Sequence, residues 1–222
     1  MYLPPLGIDL RDTIRTDHAY ETDDQAKPFV PATQVILLSL LLDTQRHAGE
    51  PEALARAVNY SPMSISRAAR ALERAGLIQR AKRGRHRHLL LASDPRTVWD
   101  RAQPQLVTPV RARYAIPTTD LDGALDAGET ALSQRNMLAP PPTRTVAISA
   151  AARAHHGTRL DPRAPRDAID EPKTMMVEVW TYPPQSLSQG NAVDPLSLHL
   201  SLRDHTDERV TQAHEDLTTV LG

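Results

Sequence analysis

The fold is decided by the stretch Tyr60-Ser-Pro-Met-Ser-Ile-Ser-Arg-Ala-Ala-Arg-Ala-Leu-Glu-Arg-Ala-Gly-Leu-Ile78. Ser61 as N-cap and Pro62 in the first turn favour a helix start, and Gly76 is typical of a helix end. Apolar residues recur at three- to four-residue spacing, which predicts one buried stripe. These residues are Ile65, Ala68, Ala69, Leu72 and Ala75. The opposite face is polar and cationic.

A cationic hairpin is predicted directly after this helix. Residues 77–91 are Leu-Ile-Gln-Arg-Ala-Lys-Arg-Gly-Arg-His-Arg-His-Leu-Leu-Leu. Arg83-Gly84 is a tight-turn signal between two strand-like arms, and Leu89 and Leu91 can face the core.

Two helical patterns precede residue 60. One runs from residue 32 to about residue 47 and is stopped by Gly49, and the other runs from residue 50 or 51 to about residue 58. Three helices followed by a hairpin predict a winged helix-turn-helix domain over residues 32–98.

Charge is concentrated on this helix and hairpin. Residues 61–91 contain eight basic residues and one acidic residue, Glu73, which gives a local charge of +7. The whole chain has a formal net charge of −1, so the remainder carries −8. Such asymmetry indicates a polyanion site on an otherwise acidic protein. The alternative is a solvated basic face.

We expect the polyanion to be double-stranded DNA, with the helix in the major groove. Arg67 and Arg70 can pair with guanine or hold phosphate, while the serines at the helix start can reach phosphates. The hairpin arginines can track phosphates or enter the minor groove. The predicted DNA-binding residues are Ser61, Met63, Ser64, Ser66, Arg67, Arg70, Arg74, Arg80, Lys82, Arg83, Arg85, His86 and Arg87. The alternative is a helix-turn-helix that contacts only protein.

The quoted stretch resembles the recognition-helix segment of MarR-like winged-helix transcriptional regulators. The shared pattern is Ser-Pro, then Ser-Arg, then Leu-Glu-x-Ala-Gly-Leu-Ile, and the resemblance covers residues 32–91. It implies a transcriptional regulator. MarR proteins end in long helices that build a dimer, whereas this chain continues into a mixed region interrupted by prolines.

The overall expectation is an α+β protein with an N-terminal arm (1–31), the winged helix (32–98) and a C-terminal α+β domain (106–222). Prolines at positions 104, 109 and 117, and again at 140–142, punctuate the later part. Two runs predict strands, over 145–149 and 175–182. Helices are expected at 128–132, from Asp194-Pro195, and from Thr206 or Asp207, the last with Val210, Ala213, Leu217 and Val220 or Leu221 as its apolar stripe.

The second half is similar to AbiEi-like antitoxins of the type IV toxin–antitoxin class. The matching pieces are Gly128-Glu-Thr-Ala-Leu132, Asp194-Pro-Leu-Ser-Leu and Asp207-Glu-Arg-Val210. The resemblance implies a repressor of its own promoter, with a nucleotidyltransferase-like toxin as partner.

We expect no enzyme, no cofactor and no metal. The chain has no cysteine and no Gly-x-Gly-x-x-Gly, Walker or Gly-x-Ser-x-Gly motif. We expect neither the Gly-Ser pair nor the Asp-x-Asp spacing of nucleotidyl transfer, so the chain should not be the toxin itself. His86 and His88 share a strand face and could bind zinc, but we interpret them as charge at the hairpin tip. Trp180, Tyr182 and the pair Met175-Met176 either line an effector pocket or, as we favour, form core.

The longest apolar run, residues 35–42, is too short to cross a bilayer, and the N-terminus has no signal-peptide pattern. We therefore expect a cytoplasmic, homodimeric repressor bound to a palindrome. One alternative is an adaptor that neutralises a partner enzyme with little DNA binding. Another is a repressor that responds to a small molecule.

Overall fold

The computed structural model describes residues 27–42, 50–83, 86–155 and 174–222. Over these residues the protein is a mixed α+β structure with eight α-helices and two β-sheets, which confirms the α+β class. No helix in the described ranges is long and apolar enough to cross a membrane. The expectations that lie outside them include the arm up to residue 26, the end of the first helix near His47, and the polar stretch that ends at residue 173.

Three helices form the N-terminal part: α1 (Pro31–Leu42), α2 (Pro51–Ala57) and α3 (Pro62–Arg74). Every residue of α1 from Thr33 to Leu41 is buried. Because apolar residues occupy all sides of α1, the helix is stable only when other elements pack around it. α3 and the second strand of the hairpin cover part of α1, and elements near the C-terminus cover the rest.

The structure confirms the predicted limits of α3. Ser61 caps the helix by accepting a hydrogen bond from the Ser64 backbone N–H at 3.2 Å, and Pro62 is the first helical residue. Gly76 follows the end of the helix with φ of +69°, a conformation that favours glycine. Four residues of the predicted stripe are buried, and Ala75 is half-buried.

The predicted hairpin is also present, as antiparallel strands β1 (Ile78–Arg83) and β2 (His86–Leu91). Ile78 and Leu89 are buried in the main core, and Leu91 packs against it. The register pairs Ile78 with Leu91 at the base and Arg83 with His86 at the other end. The basic residues of the hairpin, within 80–87, are therefore concentrated toward the end away from this base. The turn at residues 84 and 85 lies outside the described part.

The rest of the chain alternates helices and strands. Its elements are α4 (Pro95–Ala102), β3 (Val110–Pro117), β4 (Leu125–Asp126), α5 (Gly128–Ser133), β5 (Thr145–Ser149), α6 (Ala150–His155), β6 (Thr174–Trp180), α7 (Pro195–Leu202) and α8 (Glu208–Glu215). Short 3-10 segments cover Gln103–Gln105, Pro184–Ser186 and Asp216–Leu221. The expected β5, β6, α5, α7 and α8 are confirmed.

Strand β3 is an element that the sequence pattern did not predict. Two of the prolines that punctuate the later part of the sequence mark its ends: Pro109 precedes the strand and Pro117 is its last residue. A proline is tolerated there because β3 is an edge strand of the four-stranded sheet, whose order is β3-β6-β5-β4. β3 and β6 are antiparallel, β5 and β6 are parallel, and a bulge separates Val110 from Ala112.

The two faces of this sheet contribute to different cores. One face packs in a small cluster that includes Ile148 and Val177. The other joins the main cluster through Ala147 and Trp180. That main cluster also contains α1 and α3, so it extends across the predicted boundary between residues 98 and 106. α4 runs through residue 98 as well. The division into two domains stays a prediction.

Candidate nucleic-acid interface

The outward side of α3 carries one line of long side chains. Met63, Arg67, Arg70 and Arg74 follow one another at intervals of four, three and four residues, which places them along a single stripe. All four are exposed. The opposite stripe is buried in the main core, against α1. Packing of the inner face therefore directs three guanidinium groups toward solvent.

The arginines of this stripe differ in their contacts. Arg70 Nη2 donates to Ser66 Oγ at 3.4 Å, and Arg74 Nε donates to the Arg70 carbonyl at 3.3 Å. Arg67 has no hydrogen-bond or ion-pair partner among the residues that the structure describes. Among the three arginines, only Arg67 therefore has all of its guanidinium N–H groups available for a bidentate contact with an acceptor outside the protein.

Ser61 and Ser64 are occupied by the helix start itself. Their hydroxyl oxygens lie 3.0 Å apart, and the Ser61 oxygen also accepts the Ser64 N–H. One hydroxyl hydrogen of the pair remains for an outside acceptor. The predicted phosphate contact is therefore limited to one donor.

Arg80 is less available than the sequence suggested. Its Nη2 forms an ion pair and hydrogen bond with Glu73 Oε2 of α3. That hydrogen bond lowers the pKa of Glu73 and raises the pKa of Arg80. Glu73 thus neutralises one predicted DNA-binding cation and links β1 to α3.

The hairpin contributes one described cation to the candidate interface. Lys82 is exposed, and it lies opposite Arg87 in the strand register. The predicted contacts through the side chains of Arg83, Arg85, His86 and Arg87 lie outside what the structure describes. His88 was wrongly expected at an exposed tip. It is only 9% exposed, and it stands opposite Ala81, two pairs from the Arg83–His86 end of the hairpin.

A cleft of about 760 Å³ lies in the second half of the molecule, and sequence reasoning missed it. Arg113 and Glu178 line it and form an ion pair at 3.0 Å between Nε and Oε1. Glu178 is almost fully buried, and its second oxygen accepts from Trp180 Nε1 at 3.0 Å. On another side, His205 Nε2 lies 3.2 Å from Glu129 Oε1. The cleft thus presents a fixed guanidinium and a histidine–carboxylate pair.

The residues proposed for an effector pocket are mainly core. Met175, Trp180 and Tyr182 are at most 2% exposed, whereas Met176 lines the cleft. A signal for the cleft did exist: Glu178 is a lone carboxylate in an otherwise apolar strand run, and such a group needs a partner. Its partner, Arg113, comes from the strand that was not predicted.

The described residues contain no group of three or more potential metal ligands. The expectation that the chain lacks Asp-x-Asp is wrong, because Asp120 and Asp122, which follow β3, have that spacing. No Gly-Ser pair precedes it. The chain matches no protein-family model, no curated protein and no solved structure. The resemblances to MarR-like and AbiEi-like proteins therefore stay predictions.

Proposed function

We propose that this chain is a DNA-binding transcriptional regulator in which α1–α3 and β1–β2 form a winged helix. The observation that carries the proposal is the exposed stripe of Met63, Arg67, Arg70 and Arg74 on a capped helix. A hairpin follows the helix directly, and residues 80–87, away from the paired base at Ile78 and Leu91, are mostly basic in sequence.

The dimensions and charge of α3 suit the major groove. Its 13 residues span about 20 Å, and the groove, about 12 Å wide, admits one helix. The guanidinium groups can contact guanine edges or phosphates, and Lys82 can add a phosphate contact from the hairpin. Each neutralised phosphate releases counterions, so the affinity should fall steeply as salt rises.

We further propose a cytoplasmic homodimer that represses its own operon. Two copies on a palindrome double the contacts of a small domain. The resemblance of the second half to AbiEi-like antitoxins makes a nucleotidyltransferase-like toxin the proposed protein partner. No chemical step is assigned to this chain.

Fluorescence anisotropy tests the DNA-binding proposal. The full chain is titrated onto the duplex upstream of its own gene and onto a scrambled duplex, from about 50 to 200 mM salt. Tighter binding to its own duplex, with a steep salt dependence, is expected. Absent binding, or equally weak binding to both, overturns it and favours the adaptor that neutralises a partner enzyme.

The cleft favours a second candidate, a regulator that responds to a small molecule. Thr108 lines the cleft, and its neighbour Val107 is hydrogen-bonded to the side chain of Gln34 in α1. Gln34 Nε2 donates to the Val107 carbonyl at 2.8 Å, and the Val107 N–H donates to Gln34 Oε1 at 2.9 Å. An occupant of the cleft would thus act on a segment tied directly to the helical part. Arg111 lines the cleft and is exposed. A compound that raises the Tm of the wild type but not of Arg111→Ala, and that releases DNA, would support this candidate.

A further inference from the structure

Met63 is an anomaly on the exposed side of α3. Its side chain is 62% exposed, although methionine is an apolar residue that normally fills gaps inside proteins. It is the second residue of the helix, directly before two charged positions of the same stripe, Arg67 and Arg70. The charged neighbours make an apolar protein partner a poor fit, because burying such a partner there would also bury guanidinium groups.

Duplex DNA matches both parts of this surface. Its phosphates match the guanidinium groups, and its major groove presents one apolar group at the base edges, the C5-methyl of thymine. A recognition helix approaches base edges with its N-terminal residues. Met63 occupies that end of α3, whereas Arg74 is at the other end.

We infer that Met63 is a specificity residue that packs on a thymine methyl group, so that the binding site contains a required thymine. This inference rests on the proposed function and adds the base that α3 selects. The flexible, unbranched side chain can cover a methyl group without exact placement of the backbone. The exposed guanidinium groups alone supply no reason to prefer thymine over uracil.

Uracil replacement tests the inference, because uracil differs from thymine only in lacking that methyl group. A duplex is selected with the full-length wild type from a random library of about 20 base pairs, the length of two half-sites. Each thymine of the enriched duplex is then replaced by uracil, one at a time. The dissociation constants are measured for the wild type, Met63→Ala and Met63→Leu. Met137→Ala is the matched control, since Met137 is fully exposed but follows α5.

At one thymine we expect uracil to weaken wild-type binding about four-fold, the ratio that corresponds to one buried methyl group at about 0.8 kcal/mol. Met63→Ala should bind both duplexes equally, while Met63→Leu and Met137→Ala should keep the preference for thymine. If no thymine matters to the wild type, or if Met63→Ala keeps the preference, the inference is wrong while DNA binding stands. If no duplex is enriched, the proposed function fails, and the inference fails with it.

Discussion

The stacked histidines between α7 and α8 predict that acid destabilises the fold. The rings of His199 and His214 are stacked with centroids 3.8 Å apart, and each ring has a nitrogen near the other's carbonyl oxygen, at 3.2 and 2.8 Å. Trp99 of α4 contacts the His199 ring edge-on at 5.4 Å. The stack thus lies where α4 meets the C-terminal helices α7 and α8.

Burial disfavours the protonated form of both rings. Burial, and then the neighbouring ring of His214, lower the pKa of His199 from 6.5 to about 4. Burial also lowers the pKa of His214. The positive charge of Arg203 lowers the pKa of both rings, and that of Arg96 lowers the pKa of His199 further. The negative charge of Glu215 raises the pKa of His214 and so opposes the effect of burial there. A second proton would also place two like charges in stacking contact.

The sign of the pH dependence follows from these depressed values. The His199 ring takes up a proton around pH 6.5 in the unfolded chain but only around pH 4 in the folded protein. Its contribution to stability is therefore present well above pH 6.5 and is lost as the pH falls toward 4, and the lowered pKa of His214 acts in the same direction. For His199 alone, the two pKa values correspond to a loss of about 2 kcal/mol between about pH 8 and 5. Because the ring is partly exposed, solvent screening reduces this to about 1 kcal/mol.

Urea unfolding, followed by the fluorescence of the buried Trp99 and Trp180, measures this effect. The free energy of unfolding is compared at about pH 8 and 5 for the wild type, His199→Phe, His214→Phe and the double variant. His199→Phe keeps an aromatic ring in the stack but has no proton to gain, so its stability should change by about 1 kcal/mol less. If His199→Phe shows the full pH dependence of the wild type, the reasoning is refuted.

Three further predictions concern the candidate interface and the second half. Arg67→Ala should cost about 1–3 kcal/mol of DNA affinity and relax sequence preference if the side chain reads a base, as anisotropy on selected and scrambled duplexes would show. Lys82→Ala should weaken binding to all sequences alike and reduce the slope of log K against log salt by about 1. Gly128→Ala should destabilise the fold by about 1–2 kcal/mol in urea, because φ is +52° and a new Cβ would lie 3.0 Å from Thr145 Cγ2.

Each of these has a control that separates the site from general effects. Arg101→Ala removes an exposed arginine from α4 and should leave DNA binding within two-fold of wild type. An equal loss in Arg101→Ala and Arg67→Ala would mean that only net charge matters. A constant salt slope in Lys82→Ala would remove the hairpin from the interface. An unchanged urea midpoint for Gly128→Ala would show that the first turn of α5 adjusts without cost.

Local sequence signals determined the elements whose ends are marked by their own residues. Ser61-Pro62 and Gly76 set the limits of α3, and Asp194-Pro195 marked the start of α7. Spacing alone identified which face of α3 is buried. Such signals work because caps and amphipathic stripes depend on residues within a few positions of one another.

Only the tertiary structure decided what depends on residues far apart in sequence. β3 forms between two prolines because β6 pairs with it, and its Arg113 then meets the carboxylate of Glu178, 65 residues later. The Glu73–Arg80 pair, the exposure of Met63 and the stacking of His199 on His214 likewise follow from the packing of separate elements. The sequence therefore indicated where cationic groups concentrate, and packing decided which of them are already paired. Charge is a property of each residue alone, whereas partners depend on the contacts that the folded core brings together.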